Sequence, residues 1–419
     1  MTAYLLECID CGKHHLPTDA KYLCPTCGTK RKEMEPLSGL LRCIYDYETA
    51  TKFFTEESLS QNKAEGFERW APLLPLESMT SLPPLLISAT PLRAADKLAD
   101  EFGLDSLWLK DDTVMPTASF KDRASSLVVA MAKELGHATI ATASTGNAAT
   151  ALAGYAAAAE LSSVIFVSAY APKAKLVQIV VYGGQLILLD TNYDGAYELS
   201  IQACDELGWY NRNTAYNPFT VEGKKTAAFE IWEQLEYHAP DWVIVPTGDG
   251  VIAAGIEKGF SDLAAMRLIE RVPRLALVQA AGCKPIVKAF ESGADEIVPE
   301  QNPKTIADSI QVGVPRAGRW LLKALRTTNG VALAVDDGEI LNAISELGHT
   351  SGIFAEPAAA ASIAGLKKLV ADGIIGSDDT VVALITGSGL KDVSAVMKAM
   401  QIPNPIEPTL DAVKRMLKF

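Results

Sequence analysis

Lys121 sits in the stretch PTASFKDR, between Phe120 and Asp122, with small hydroxyl residues just before it. An amine becomes a nucleophile or a base when it is desolvated, crowded by positive charge or already held as a Schiff base. Phe120 can exclude water there, and Asp122 and Arg123 open a helix expected over 122–135, whose N-terminal dipole suits an acid. A lone lysine in such a setting is ordinarily a solvated charge. Three further clusters change that reading, because each follows directly on an apolar run: STGNAA from Ser144, PTGDG from Pro246 and TGSGLKD from Thr386. Any one of them alone reads as a strand-to-helix turn.

The chemistries of the four segments are complementary. Gly248, Asp249 and Gly250 lie between an apolar strand and a helix expected from Val251, so backbone amides and the helix N-terminus can cradle a phosphate without a cationic side chain. Asn147 stands on the turn that opens an alanine-rich helix, where its amide can donate to a ring oxygen or merely cap the helix. Thr386 ends a strong strand. Its hydroxyl can meet a pyridine nitrogen with one hydrogen bond without holding a proton there as a carboxylate would, which suits elimination and replacement better than transamination. One ligand uses all four corners. It is pyridoxal 5'-phosphate, with its aldehyde at Lys121, its phosphate at Gly248–Gly250, its phenolic oxygen at Asn147 and its ring nitrogen at Thr386.

The elements that must position these groups are legible as alternating apolar and helical stretches from about residue 105. Strands are expected at ATIATAS (138), SSVIFVSA (162), QLILLD (185), WVIVPTG (242), RLALVQAAG (274) and TVVALITG (380), with helical patterns between most of them. Continuous apolar strands separated by helices imply an α/β fold of two open, twisted, mostly parallel sheets covered by helices, with ligands at the carboxyl ends of strands. The expected division is an appendage over 1–40, a large cofactor domain over 41–125 and 225–400, a small domain over 126–224, and a C-terminal docking helix over 401–419. Residues 41–90 read as an irregular, proline-containing lead-in.

With 419 residues, 48% of them hydrophobic, the chain is long enough for two cores. Its net charge of -13 argues against nucleic acid or an anionic membrane as partner. The uncharged run 138–159 is too rich in Ala, Thr, Ser and Gly to span a bilayer, and no charged-then-apolar leader opens the chain, so a cytoplasmic protein is expected. Among seven cysteines, Cys8, Cys11, Cys24 and Cys27 form C-x2-C-x12-C-x2-C, the spacing of a four-thiolate structural zinc ribbon. Disulfides or free core thiols are the alternatives. His14 and His15 are surplus to such a set, and Cys43, Cys204 and Cys283 read as buried small hydrophobes.

At this point a resemblance is plain. TPL at Thr90, PTASFKDR, STGNAA, NPFTVEGKKT at Asn217, PTGDG and TGSGLKD together resemble the fold-type II pyridoxal-phosphate enzymes, specifically the threonine synthases, over about residues 90–400. The resemblance implies that Lys121 is the Schiff-base lysine and proton carrier. It also implies that O-phosphohomoserine and water become threonine and phosphate by γ-elimination and β-addition, and that the α-carboxylate binds at Ser144, Thr145, Gly146 and Asn147. The implied partner is a small amino-acid phosphate, with a homodimer as the candidate assembly.

Two departures from the family pattern stand out. Ala118 and Ala124 replace residues that are often glycine, which reads as a mild change of volume. Phe219 and Thr220 occupy a stretch where many relatives carry an arginine for the substrate phosphate. Lys224, Lys225, Arg212 and Arg123 are the candidate substitutes, with Lys224 and Lys225 foremost. Competing readings are a cysteate synthase-like β-replacement enzyme, a threonine or serine dehydratase, and a noncatalytic binding protein that keeps the fold.

Overall fold

The alternation of side chains along the central strands builds two cores at once. In the computed structural model, which describes residues 4–417 other than 86, 145, 170–172, 398–399 and 401, and omits the side chains of 173–175, strand Trp242–Pro246 is buried along its whole length. Trp242 and Ile244 pack into one apolar cluster with helices Asp337–Ser351 and Pro357–Ala371. Val243 and Val245 pack into another with helices Lys121–Glu134, Val251–Ala265 and Gly318–Thr327. Each fully buried Val, Leu or Ile contributes about 1.5–3 kcal/mol of transfer free energy, so a continuous apolar strand is stable only when both faces are covered.

The larger sheet runs in the order Val331–Val335, Arg274–Ala280, Trp242–Pro246, Thr380–Ile385, Ser106–Asp111, Leu92–Ala94. It is parallel except for the last strand. The smaller sheet is all parallel in the order Gln185–Leu189, Ser162–Ser168, Thr139–Ala143, Tyr210–Asn211. The α/β class is as expected, and each of the six strands expected from apolar runs is present. The strands Ser106–Asp111 and Val331–Val335 and the short edge strands Leu92–Ala94 and Tyr210–Asn211 were not singled out by sequence. The edge strands are too brief to register as runs.

A third sheet, antiparallel, joins His14–His15, Tyr4–Cys8 and Leu41–Tyr45, so the N-terminal module takes its last strand from beyond residue 40. It is fastened to the body by a buried charge network. The Glu222 carboxylate accepts from the Cys43 amide (3.2 Å) and the Tyr45 hydroxyl (2.7 Å), and Lys225 bridges Glu222 (2.6 Å) and Asp262 (2.9 Å) while lying over the Tyr45 ring. A C-terminal helix spans Leu410–Leu417; its large apolar residues are exposed and Ala412 is buried. Among the described residues no helix is long and apolar enough to cross a membrane.

Candidate active site

Helix Lys121–Glu134 begins at Lys121 with no side-chain cap, and the loop before it is stitched to the end of strand Thr380–Ile385. The Phe120 amide donates to the Thr386 carbonyl (2.9 Å) and the Ser388 amide to the Ala118 carbonyl (3.1 Å). Making this turn puts Ala118 in the left-handed region, at φ 63°. The replacement of glycine at 118 is therefore a matter of backbone strain and not of volume, a correction to the sequence reading.

Behind the lysine, Arg123 is fully buried. It donates to Asp112 (2.7 Å), to both Glu230 oxygens (2.6 and 2.8 Å), to Thr226 (3.0 Å) and to Thr90 (2.9 Å). Removing either side of so enclosed a pair strands a buried charge, so this cluster fixes the start of the helix and Arg123 is not free to meet a substrate.

The carboxyl ends of strands from both larger sheets open onto one cavity of about 340 Å³. Lys121, Ser144, Gly146, Asn147, Gly248, Asp249, Gly250, Lys224 and Thr386 line it, so most of the residues singled out by sequence are brought together. Thr145 lies outside the described residues. Lys225 does not line the cavity, because its ammonium is committed to Glu222 and Asp262 on the opposite side of the helix turn. Sequence reasoning did not single out Tyr193, Glu356 or the wall Asp308–Val312, which also face the cavity.

The turn at 248–250 has the shape of an anion cradle. Gly250 lies at φ 92°, and a Cβ on Gly248 would sit 2.9 Å from the Ile310 Cα, so neither position has room for another residue without movement. Immediately after it, the first turn of helix Val251–Ala265 presents Val251, Ile252 and Ala253 to the cavity. Their amides have no partner within the helix. The Asp249 side chain is turned to the Tyr193 hydroxyl (3.2 Å) and the Arg316 amide (3.2 Å), and burial raises its pKa.

The cavity is lined by three bases, Lys121, Arg212 and Lys224, and by three acids, Asp249, Asp308 and Glu356. Burial lowers the Lys121 pKa; nearby Glu356 acts against that and Arg212 adds to it. Arg212 is fully buried, its guanidinium donates to the Ser125 hydroxyl (3.2–3.3 Å), and its pKa is pulled down to about 10 by burial. Lys224 is 1% exposed and donates to the Thr220 carbonyl (3.2 Å). Its pKa is pushed well below the ordinary value, first by burial and then by Arg212 and Lys121. Among the described residues neither Arg212 nor Lys224 has a carboxylate partner.

At the far end of the N-terminal module the Sγ atoms of Cys8, Cys11, Cys24 and Cys27 lie within 4.8 Å of one another, with Cys11 and Cys24 3.9 Å apart. A tetrahedron with metal–sulfur bonds of about 2.3 Å has edges of about 3.8 Å. The Gly12 amide donates to the Cys8 carbonyl and the Gly28 amide to the Cys24 carbonyl, each at 2.8 Å, so both pairs sit on the same kind of turn. His15 Nε2 is 3.3 Å from the Cys24 sulfur. Cys43, Cys204 and Cys283 are buried.

Lys121, the turn at 248–250, Asn147 and Thr386 thus surround one slot at the carboxyl ends of the strands. Residues 84–387 match the family described as pyridoxal-phosphate dependent enzyme. The chain is 39% identical to the threonine synthase of Methanocaldococcus jannaschii over 99% of both proteins, and 37% identical to that of Methanosarcina acetivorans over 98% of both. It belongs to the pyridoxal-phosphate dependent enzymes and, within them, to the threonine synthase family. In fold it is similar to the processed form of threonine deaminase isoform 2 from Solanum lycopersicum (TM-score 0.63, 23% identity, 74% of this chain and 82% of that one). It is also similar to diaminopropionate ammonia lyase from Escherichia coli (TM-score 0.65, 21% identity, 76% and 89%).

Proposed function

We propose that the protein converts O-phosphohomoserine and water to threonine and phosphate with pyridoxal 5'-phosphate, by γ-elimination followed by β-addition. The observation that carries this reading is the pair Arg212 and Lys224: two buried bases without carboxylate partners among the described residues, in a cavity that already has an amide cradle for one phosphate. Burying an uncompensated charge costs several kcal/mol, so such a pair persists where a bound anion offsets it. A substrate carrying its own phosphate does so. The threonine synthases at 37–39% identity over nearly the whole chain support the same reading.

The residues divide the work. The amides from Gly248 to Ala253 hold the cofactor phosphate, the Asn147 amide donates to the ring oxygen, and Thr386 offers the ring nitrogen a neutral partner. When bound, pyridoxal phosphate supplies the electron sink that lets protons leave the α and β carbons. Lys121 Nζ, its proton loosened by burial, is the base that takes those protons and the acid that returns one to the γ carbon and one to the α carbon, while the proton of the added water leaves with the phosphate ion. Ser144 and Gly146 receive the α-carboxylate, while Arg212 and Lys224 hold the γ-phosphate and then the departing phosphate ion. Far from this chemistry, Cys8, Cys11, Cys24 and Cys27 hold a structural zinc ion whose four thiolates leave no open position.

The test is a product assay on purified holoprotein with O-phosphohomoserine, O-phosphoserine plus sulfite, serine and threonine. Threonine and phosphate in equal amounts from the first substrate are expected. Cysteate, pyruvate or 2-oxobutyrate as the main product would replace this reading with a sulfite-dependent replacement or a dehydratase.

A further inference from the structure

Glu356 immediately precedes helix Pro357–Ala371, in the position where an acid ordinarily bonds its own helix's first amides, yet its carboxylate makes no such bond. It turns into the cofactor cavity, 4% exposed, and accepts from Asn147 Nδ2 at 3.0 and 2.9 Å. Ser309 Oγ lies 3.5 Å away, and the Glu356 amide is pinned to the Gly387 carbonyl (3.0 Å). The two partners come from different sheets. Glu356 lies between strands of the six-stranded sheet, and Asn147 opens the helix that follows strand Thr139–Ala143 of the four-stranded one.

A carboxylate can only accept, so Asn147 has to present its NH2 group there and cannot present its carbonyl oxygen. One of the two amide hydrogens can serve Glu356 while the other, on a nitrogen 3.5 Å from Ser309 Oγ, can turn to an acceptor in the cavity. A neutral amide at 356 would remove that constraint and let Asn147 flip. We infer that Glu356 is a positioning residue whose carboxylate fixes the Asn147 amide as a donor across the cavity and so sets the grip on the cofactor's ring oxygen.

The inference rests on the cofactor reading above and not on the substrate, and the test separates the two. Apoprotein is titrated with pyridoxal 5'-phosphate, and both the dissociation constant and the position of the visible absorption band are read for the parent, Glu356→Gln, Asn147→Ala and the double variant. Glu356→Gln and Asn147→Ala are each expected to weaken binding by about tenfold and to move the band in the same direction. The double variant should be no worse than about threefold beyond either one, because both remove the same contact.

Gly387→Ala gives a second route. A Cβ there would lie 2.6 Å from Glu356 Oε1, so the carboxylate must shift while its charge is kept, and the same band movement is expected. It also decides the matter if Glu356→Gln lowers the apoprotein's melting temperature. Parent-like affinity and band position in both Glu356→Gln and Gly387→Ala, or a double-variant loss equal to the product of the single losses, would overturn the assignment. A parent protein that takes up no cofactor would refute the cofactor reading itself.

Discussion

Replacing Lys224 with methionine should move stability and activity in opposite directions. The side chain is 1% exposed and its hydrogen bond goes to the Thr220 carbonyl; Arg212 and Lys121 crowd it with like charge. Methionine has nearly the same length, so no cavity is left, and the desolvation penalty and the like-charge repulsion disappear together. The apoprotein should gain about 1–3 kcal/mol, a rise of a few degrees in melting temperature. Catalysis should lose one charge-assisted contact to the substrate phosphate, worth about 1.5–3 kcal/mol, or roughly 10- to 150-fold in kcat/KM.

A pH arm follows from the same residue. Because the folded protein binds the Lys224 proton less tightly than the unfolded chain, unfolding takes up a proton. Apoprotein stability should therefore rise with pH from the depressed folded value up to the ordinary value of 10.5, and the methionine variant should lose that part of the slope. The assays are urea unfolding of apoprotein across the alkaline range and initial rates of phosphate release. A variant less stable than its parent would make Lys224 a structural residue. An unchanged kcat/KM would remove it from the phosphate site.

Three other substitutions probe the remaining parts. Lys121→Ala should leave the fold intact, as judged by circular dichroism, but abolish the lysine-linked cofactor band and turnover; borohydride reduction that still labels that peptide would contradict the role of Lys121. Cys24→Ser should lower zinc stoichiometry and the melting temperature with little change in the turnover of folded protein, and full zinc occupancy in the variant would count against the four-thiolate site. Ala118→Gly should stabilise the protein by about 0.5–1 kcal/mol in urea unfolding, because relief of the positive φ outweighs glycine's greater freedom in the unfolded chain; a destabilised variant would show that the turn is not strained.

How much was legible follows from which signals are local. The strand ends could be read because uninterrupted apolar runs announce buried parallel strands, and the small polar clusters beyond them, from Ser144, Pro246 and Thr386, do converge on the cavity. Lys224 and Lys225 could not be separated, since two consecutive lysines carry the same chemistry and only the helix phase decides which faces the slot and which meets Glu222 and Asp262. Glu356 gives no local signal. A carboxylate before an alanine-rich helix looks like a helix-capping acid, and its contact with Asn147 spans 209 positions. The strain at Ala118 was invisible for a related reason: composition reports a methyl group, while φ is set by the need to bring Phe120 against Thr386.

The double fastening of Lys225 has a consequence for its neighbour. If the segment from Phe219 slipped by one position, Lys225 would stand where Lys224 does and Thr226 where Lys225 does. That would take from Asp262 one of the two ammonium groups it holds and leave it to Lys258 alone. The energetic penalty of that slip falls on the side remote from catalysis, so the ion pairs behind the helix act as a phase key. An apparently idle lysine thereby keeps its working twin pointed at the anion.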